Sequence, residues 1–123
     1  MTEPVDALVL FGATGDLAFK KIFPALQALV KRGQLRVPVI GVAKGNRTLE
    51  QICDRIRESL TLSSCGLDEE AFAKLVRLFQ YIDGDYREES TFTRLRRTLS
   101  HARHPLYYLA IPPAGFAPTV RAL

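Results

Sequence analysis

The chain has 123 residues, enough for one domain with a buried core, and its 47% hydrophobic and 24% charged residues match a soluble globular protein. No run of 18 apolar residues exists, which excludes a membrane-spanning helix, and Met1 to Asp6 lacks the basic-then-apolar order of a secretion signal, so a cytoplasmic location and no membrane partner are expected. The net charge of +4 favours an anionic partner. Nucleic acid is set aside, because Arg94, Arg96, Arg97 and Arg103 fall on an amphipathic helix with no interleaved aromatic side chains for base stacking. A phosphorylated small molecule remains.

Asp6-Ala7-Leu8-Val9-Leu10-Phe11 is a continuous apolar run behind one acid, the pattern of a strand buried on both faces of a parallel sheet. Gly12 to Ala18 turns the chain into a helix. Leu17, Phe19, Ile22, Phe23, Leu26, Leu29 and Val30 recur there at helical spacing, Pro24 is expected to kink or restart the helix, and Gly33 to stop it. Val37 to Ala43 is a second strand. Thr48 caps a helix carrying Leu49, Ile52, Ile56 and Leu60. After a break at Ser63 to Gly66, Asp68 opens a helix through Phe72, Leu75, Val76 and Phe79. Gln80 to Asp85 is a short third strand ending in a turn, Glu88 to Arg103 a helix, Leu106 to Ile111 a fourth strand, and Phe116 to Leu123 the opening of another helix. Strict strand–helix alternation predicts an α/β fold: a Rossmann-like doubly wound parallel sheet, stopping after about four strands and leaving an apolar edge.

The ends of all four predicted strands carry candidate chemistry. Gly12-x-x-Gly15-x-x-Ala18 stands between the first strand and first helix, where a dinucleotide fingerprint belongs. Gly12 permits the tight turn, Gly15 admits a pyrophosphate to the helix N-terminus, and Ala18 lets the helix pack on the sheet. At the end of the second strand an acid would hold a ribose 2′-hydroxyl and repel a 2′-phosphate. Here stand Lys44 and, nearby, Arg47, with no acid before Glu50, which favours NADP over a plain solvated loop. Asp85 and Tyr86 after the third strand are placed either to wall the adenine side or simply to form a turn. Ile111-Pro112-Pro113 closes the fourth strand at the same edge, with a cis bond one option. Cys53 and Cys65 form no CxxC pair and read as idle thiols. His101 and His104 lack the carboxylates or thiolates of a metal site.

The run Phe11-Gly12-Ala13-Thr14-Gly15-Asp16-Leu17-Ala18-Phe19-Lys20-Lys21-Ile22-Phe23-Pro24 is similar to the opening motif of the glucose-6-phosphate dehydrogenase family. Ile40-Gly41-Val42-Ala43-Lys44 and Tyr108-Leu109-Ala110-Ile111-Pro112-Pro113 follow in the family's order, so the resemblance spans about Ala7 to Leu123. It implies NADP contacts at Gly12, Ala13, Thr14, Gly15, Asp16, Leu17, Ala18 and Phe19. It also implies that Lys44 stands where many members carry an arginine for the 2′-phosphate, keeping the charge but losing the bidentate fork. Phe19 replaces a commonly basic residue, and Lys21 corresponds to the motif lysine directed toward the sugar phosphate.

The resemblance further implies that the complete protein oxidises C1 of glucose 6-phosphate to the lactone, reduces NADP, and forms a homo-oligomer. The family's histidine base, oriented by a carboxylate in an Arg-Ile-Asp-His-Tyr-type motif, does not occur in residues 1–123. These residues are therefore expected to form a partial NADP-binding domain with no catalytic residue, binding cofactor weakly alone. Two other readings stand beside this one. An atypical short-chain reductase shares the GATGxxG-like start, but no tyrosine here has a lysine four residues on. A non-catalytic NADPH-binding module is the other.

Overall fold

The structure, a computed structural model, describes residues 5–85, 87–111 and 119–121. Four strands, β1 (Ala7–Phe11), β2 (Val39–Ala43), β3 (Phe79–Asp83) and β4 (Pro105–Leu109), form one parallel sheet in the order β3-β2-β1-β4. Leu10 faces Gly41 on one side and Tyr108 on the other, which sets the register across the middle of the sheet. All five residues of β2 are buried, the property that its unbroken apolar run anticipates for a strand covered on both faces.

Helices α1 (Phe23–Lys31), α2 (Leu49–Leu62) and α3 (Glu69–Leu78) cover one face, where Leu10, Val39, Phe23, Ile52, Ile56, Leu60, Leu75 and Phe79 pack together. Helix α4 (Glu89–Thr98) covers the other, its Phe92 and Leu95 set against Val9, Phe11, Ile40, Val42 and Ile82. Each of these large side chains contributes about 1.5–3 kcal/mol by leaving water. The Rossmann-like expectation is met. The edge strand β4 has only partial cover: Leu106 and Tyr108 remain 52% and 43% exposed.

The capping residues act as their chemistry dictates. The Thr48 hydroxyl accepts from the Gln51 N–H at 3.2 Å, and the Gln51 side chain accepts from the Thr48 N–H at 2.9 Å, a reciprocal box at the start of α2. Asp68 caps α3 through the Ala71 N–H at 2.9 Å. Gly33, at φ +69°, ends α1 with its own N–H on the Val30 carbonyl while the next N–H, of Gln34, reaches back to Leu29. Pro24 restarts the first helix in a particular way. The chain turns helical at Asp16, widens into a π-helical turn over Ala18–Ile22, and continues as α1, with Pro24 in its first turn. The wide turn gives room to a ring that would otherwise meet the carbonyl of the preceding turn.

Several boundaries differ from expectation. β1 starts at Ala7 and β2 at Val39, each inside the apolar run that announces it, and β4 ends at Leu109 rather than Ile111. Phe79 belongs to β3, not to the preceding helix, because its ring fills the space beside Gly41, where a Cβ would sit 2.7 Å away, and meets Phe23 edge-on at 6.3 Å. Helix α4 stops at Thr98, five residues before Arg103. The Asp6 carboxylate accepts from the N–H groups of Arg103 (2.6 Å) and His104 (2.9 Å) and draws the chain out of the helix toward β4. A contact across 97 residues is invisible to local periodicity. Of the helix expected from Phe116, residues 119–121 are helical, and the rest lies outside the described residues.

Candidate functional site

The parallel strands all end at one edge of the sheet, and the turns that follow converge there. A cavity of about 330 Å³ opens at this edge, lined by Gly12, Thr14 and Gly15 after β1, Val42, Ala43 and Lys44 at the end of β2, Gly84, Asp85 and Arg87 after β3, and Ala110 and Ile111 after β4. Ligands of open α/β sheets bind at such a crevice beyond the carboxyl ends of the strands.

The two glycines of the first turn have different reasons to be glycine. Gly12 has φ +87°, and a Cβ there would lie 2.1 Å from the Ala110 carbonyl oxygen; the fold itself forbids a side chain. Its N–H donates to the Val42 carbonyl at 2.8 Å, and the Ala110 N–H donates to Phe11 at 2.8 Å, locking the three turns together. Gly15 is under no such constraint. A Cβ would meet the Gly12 carbonyl oxygen at 3.4 Å and the Ala110 carbonyl oxygen at 3.9 Å, both ordinary contacts, and Gly15 lines the cavity. The helix begins one residue later, so its first N–H groups lack helical acceptors and its positive end lies beside the space Gly15 leaves free. An anionic pyrophosphate fits this cradle.

Lys44 lines the cavity with its side chain 72% exposed, and its Nζ lies 3.7 Å from the Asp85 carboxylate. Asp85 is buried and accepts from the Arg87 N–H at 2.9 Å and from the Arg87 guanidinium at 3.2 and 3.3 Å. The Arg87 guanidinium, then its N–H, hold the Asp85 carboxyl below the usual range, with the Lys44 charge assisting. One buried carboxylate thus gathers two cations at the cavity wall. Arg87 escaped the reading of the sequence; an arginine two residues after an acid at a strand end was the available signal.

The remaining expected site residues divide. Ala13 and Ala18 are fully buried beneath the turn and support it from below. Asp16 and Leu17 are exposed at the helix start. Phe19 lies outside the cavity: its N–H donates to Gly15, its carbonyl accepts from the Ser59 hydroxyl, and the Arg55 guanidinium sits 4.7 Å from its ring centre. Lys21 is exposed on the π-helical turn and does not line the cavity. Tyr86, Pro112 and the bond before Pro112 lie outside the described residues. Among the described residues no group of three metal-ligating side chains exists, and Cys53 and Cys65 are free thiols, the first half-buried and the second exposed.

Asp6, Asp68, Asp83 and Asp85 all titrate below the ordinary carboxylate value. The largest cause is the Arg103 N–H for Asp6, the Ala71 N–H for Asp68, and Arg87 for Asp85. For Asp83 burial pushes upward most strongly, but hydrogen bonds from Tyr81, Arg47 and Asn46 with the Arg94 charge outweigh it. A depressed folded-state value stabilises above the unfolded value and is lost as pH falls through the folded one. The melting temperature, followed by circular dichroism, is therefore expected to hold from neutral pH to about 5 and to fall below about pH 4. Asparagine at positions 6 and 85 together should flatten that fall.

A family model described as "Glucose-6-phosphate dehydrogenase, NAD binding domain" matches residues 9–123. Glucose-6-phosphate 1-dehydrogenase 1 of Mycobacterium bovis is 38% identical over 118 residues, covering 96% of this chain and 25% of that protein. The crystal structure of glucose-6-phosphate 1-dehydrogenase from Mycobacterium avium superposes with a TM-score of 0.92 at 42% identity, over 98% of this chain and 26% of that one. A glucose-6-phosphate dehydrogenase in complex with its substrate glucose-6-phosphate superposes with a TM-score of 0.88 at 26% identity, over 100% and 28%. The chain thus spans about a quarter of the length of the relatives it matches. With the glycine cradle, the strand-end cavity and this match in agreement, the chain belongs to the glucose-6-phosphate dehydrogenase family and carries that family's nucleotide-binding domain.

Proposed function

We propose that residues 1–123 form the NADP-binding part of an enzyme that oxidises C1 of glucose 6-phosphate to the lactone, with the catalytic base and most of the sugar site supplied by chain beyond this part. The observation that carries the choice of NADP is Lys44: a cation at the end of β2, on the cavity wall, where an acid would repel a 2′-phosphate. Bound at this edge, the dinucleotide supplies hydride acceptance. The chain's own residues bind and orient it. The first-turn amides beside Gly15 take the pyrophosphate, Lys44 takes the 2′-phosphate, and Asp85 keeps Lys44 and Arg87 at the wall. Lys21, Phe19, Tyr86 and Pro112 remain contacts proposed from the resemblance alone, as does homo-oligomerisation of the full protein. A cytoplasmic location goes with the reading, since free thiols at Cys53 and Cys65 suit a reducing compartment.

Titration of the chain with NADP and NAD tests the proposal. NADP is expected to bind more tightly, and Lys44→Ala to weaken NADP about tenfold while changing NAD less than about twofold, the loss of one phosphate ion pair. Lys44→Arg should restore or improve NADP binding by adding a bidentate fork. Equal affinities in the unaltered chain would remove the basis for NADP. Turnover of glucose 6-phosphate by the chain alone would contradict the division of labour.

A further inference from the structure

The loop after β2 is shaped by a residue outside the cavity. Gly45 at φ +152° and Asn46 at φ +54° turn the chain so that the successive N–H groups of Asn46 and Arg47 point the same way, a geometry that binds anions. The anion already there is the Asp83 carboxylate from the end of β3: one oxygen accepts from the Asn46 N–H at 3.1 Å, the other from the Arg47 N–H at 3.0 Å. That second oxygen also accepts the Tyr81 hydroxyl at 2.7 Å, and the same hydroxyl lies 3.0 Å from the Ala43 carbonyl oxygen at the end of β2. Burial, then the Asp83 carboxylate, push the Tyr81 phenol up, so it stays a donor. Asp83 and Tyr81 therefore tie β3 to both ends of the turn that carries Lys44.

The consequence concerns Arg47. Its side chain folds back over Gly45, with Nε and the aliphatic stem 3.6–3.9 Å from where a Gly45 Cβ would stand, which sets it against the residue next to Lys44 and just outside the lining of the cavity. The Asn46 and Arg47 amides are occupied by Asp83, so a phosphate arriving here meets the side-chain cations rather than those two N–H groups. We propose that Asp83 is a positioning residue for 2′-phosphate recognition, pinning the Asn46 and Arg47 amides so that the Arg47 guanidinium stands with Lys44 as a two-cation clamp. The inference rests on the NADP reading above and deepens it. A lone lysine lacks the fork of an arginine, and the clamp returns an arginine to the site from three positions further along.

The test is a ¹⁵N-resolved NMR titration of the chain with NADP and with NAD, which reads weak affinities and reports folding in the same spectra. Asp83→Asn is expected to raise the NADP dissociation constant about tenfold and the NAD constant less than about twofold. Tyr81→Phe, which keeps the carboxylate but loosens it, should give a change of the same sense of about threefold. The Asn46 and Arg47 amide resonances should move in both. Arg47→Ala alters an exposed side chain and leaves Asp83 in place, so it reads the clamp even if Asp83→Asn fails to fold. A ratio of NADP to NAD affinity unchanged in Arg47→Ala, or unchanged in a folded Asp83→Asn, overturns the inference. If Lys44→Ala still abolishes the preference in that case, the NADP reading survives alone. An unaltered chain with no preference for NADP overturns both.

Discussion

Leucine at position 15 is expected to leave the chain folded and to weaken NADP and NAD binding alike, on the order of 100-fold, from the loss of one or two charge-assisted hydrogen bonds. Folding tolerates the change because Gly15 has no left-handed backbone and the nearest atom to its Cβ would be 3.4 Å away. Binding does not tolerate it, because the side chain enters the cavity at the mouth of the first helix and holds a pyrophosphate off the amides there. Gly15→Ala should give an intermediate loss, graded by side-chain size. Circular dichroism with calorimetric titration separates the two effects. Unchanged affinity for both dinucleotides in a folded Gly15→Leu chain would mean that the pyrophosphate does not bind at this turn, and the cradle would lose its function.

Gly12→Ala should do the reverse and cost stability first. At φ +87° an L side chain is strained by about 1–3 kcal/mol, and the new methyl would stand 2.1 Å from the Ala110 oxygen, far inside contact distance. Relief requires β1 and β4 to part at their ends, breaking the bond from the Ala110 N–H to Phe11. A loss of about 3 kcal/mol or more is expected, lowering the melting temperature by more than about 10 °C. Gly66→Ala is the control. Gly66 has φ +73° but nothing within 4 Å of its Cβ position, so it isolates backbone strain from crowding and should cost only about 1 kcal/mol. If the two variants melt together, the clash with Ala110 is relieved at little cost and the interlock of the three turns is weaker than its geometry indicates.

The opposite responses expected at positions 12 and 15 separate fold from function within one motif. A sequence pattern records only that both are glycine. The surroundings tie Gly12 to the sheet and leave Gly15 facing the cavity. The same division recurs at the end of β3, where two carboxylates lie two residues apart: Asp85 gathers Lys44 and Arg87 on the cavity wall, while Asp83 turns away to hold the Asn46–Arg47 amides.

The sequence by itself determined the element types, because burial periodicity and capping chemistry are local. The apolar runs around Val9 and Ile40, the Thr48–Gln51 box, the Asp68 cap and the stop at Gly33 act within a few residues of themselves. The cradle at Gly12 to Ala18 was legible for the same reason. Tertiary structure alone decided what depends on pairs far apart in the chain: the end of α4, drawn out by Asp6; the placing of Phe79 in β3 against Gly41; and the hold of Asp83 on a loop 36 residues earlier. It also set Phe19 outside the lining of the strand-end cavity and placed Arg87 on the cavity wall, since the π-helical turn and the parallel register set those directions. Spacing along a chain encodes which residues share an element. Which residues meet across elements is settled only when the sheet brings its strand ends to one edge.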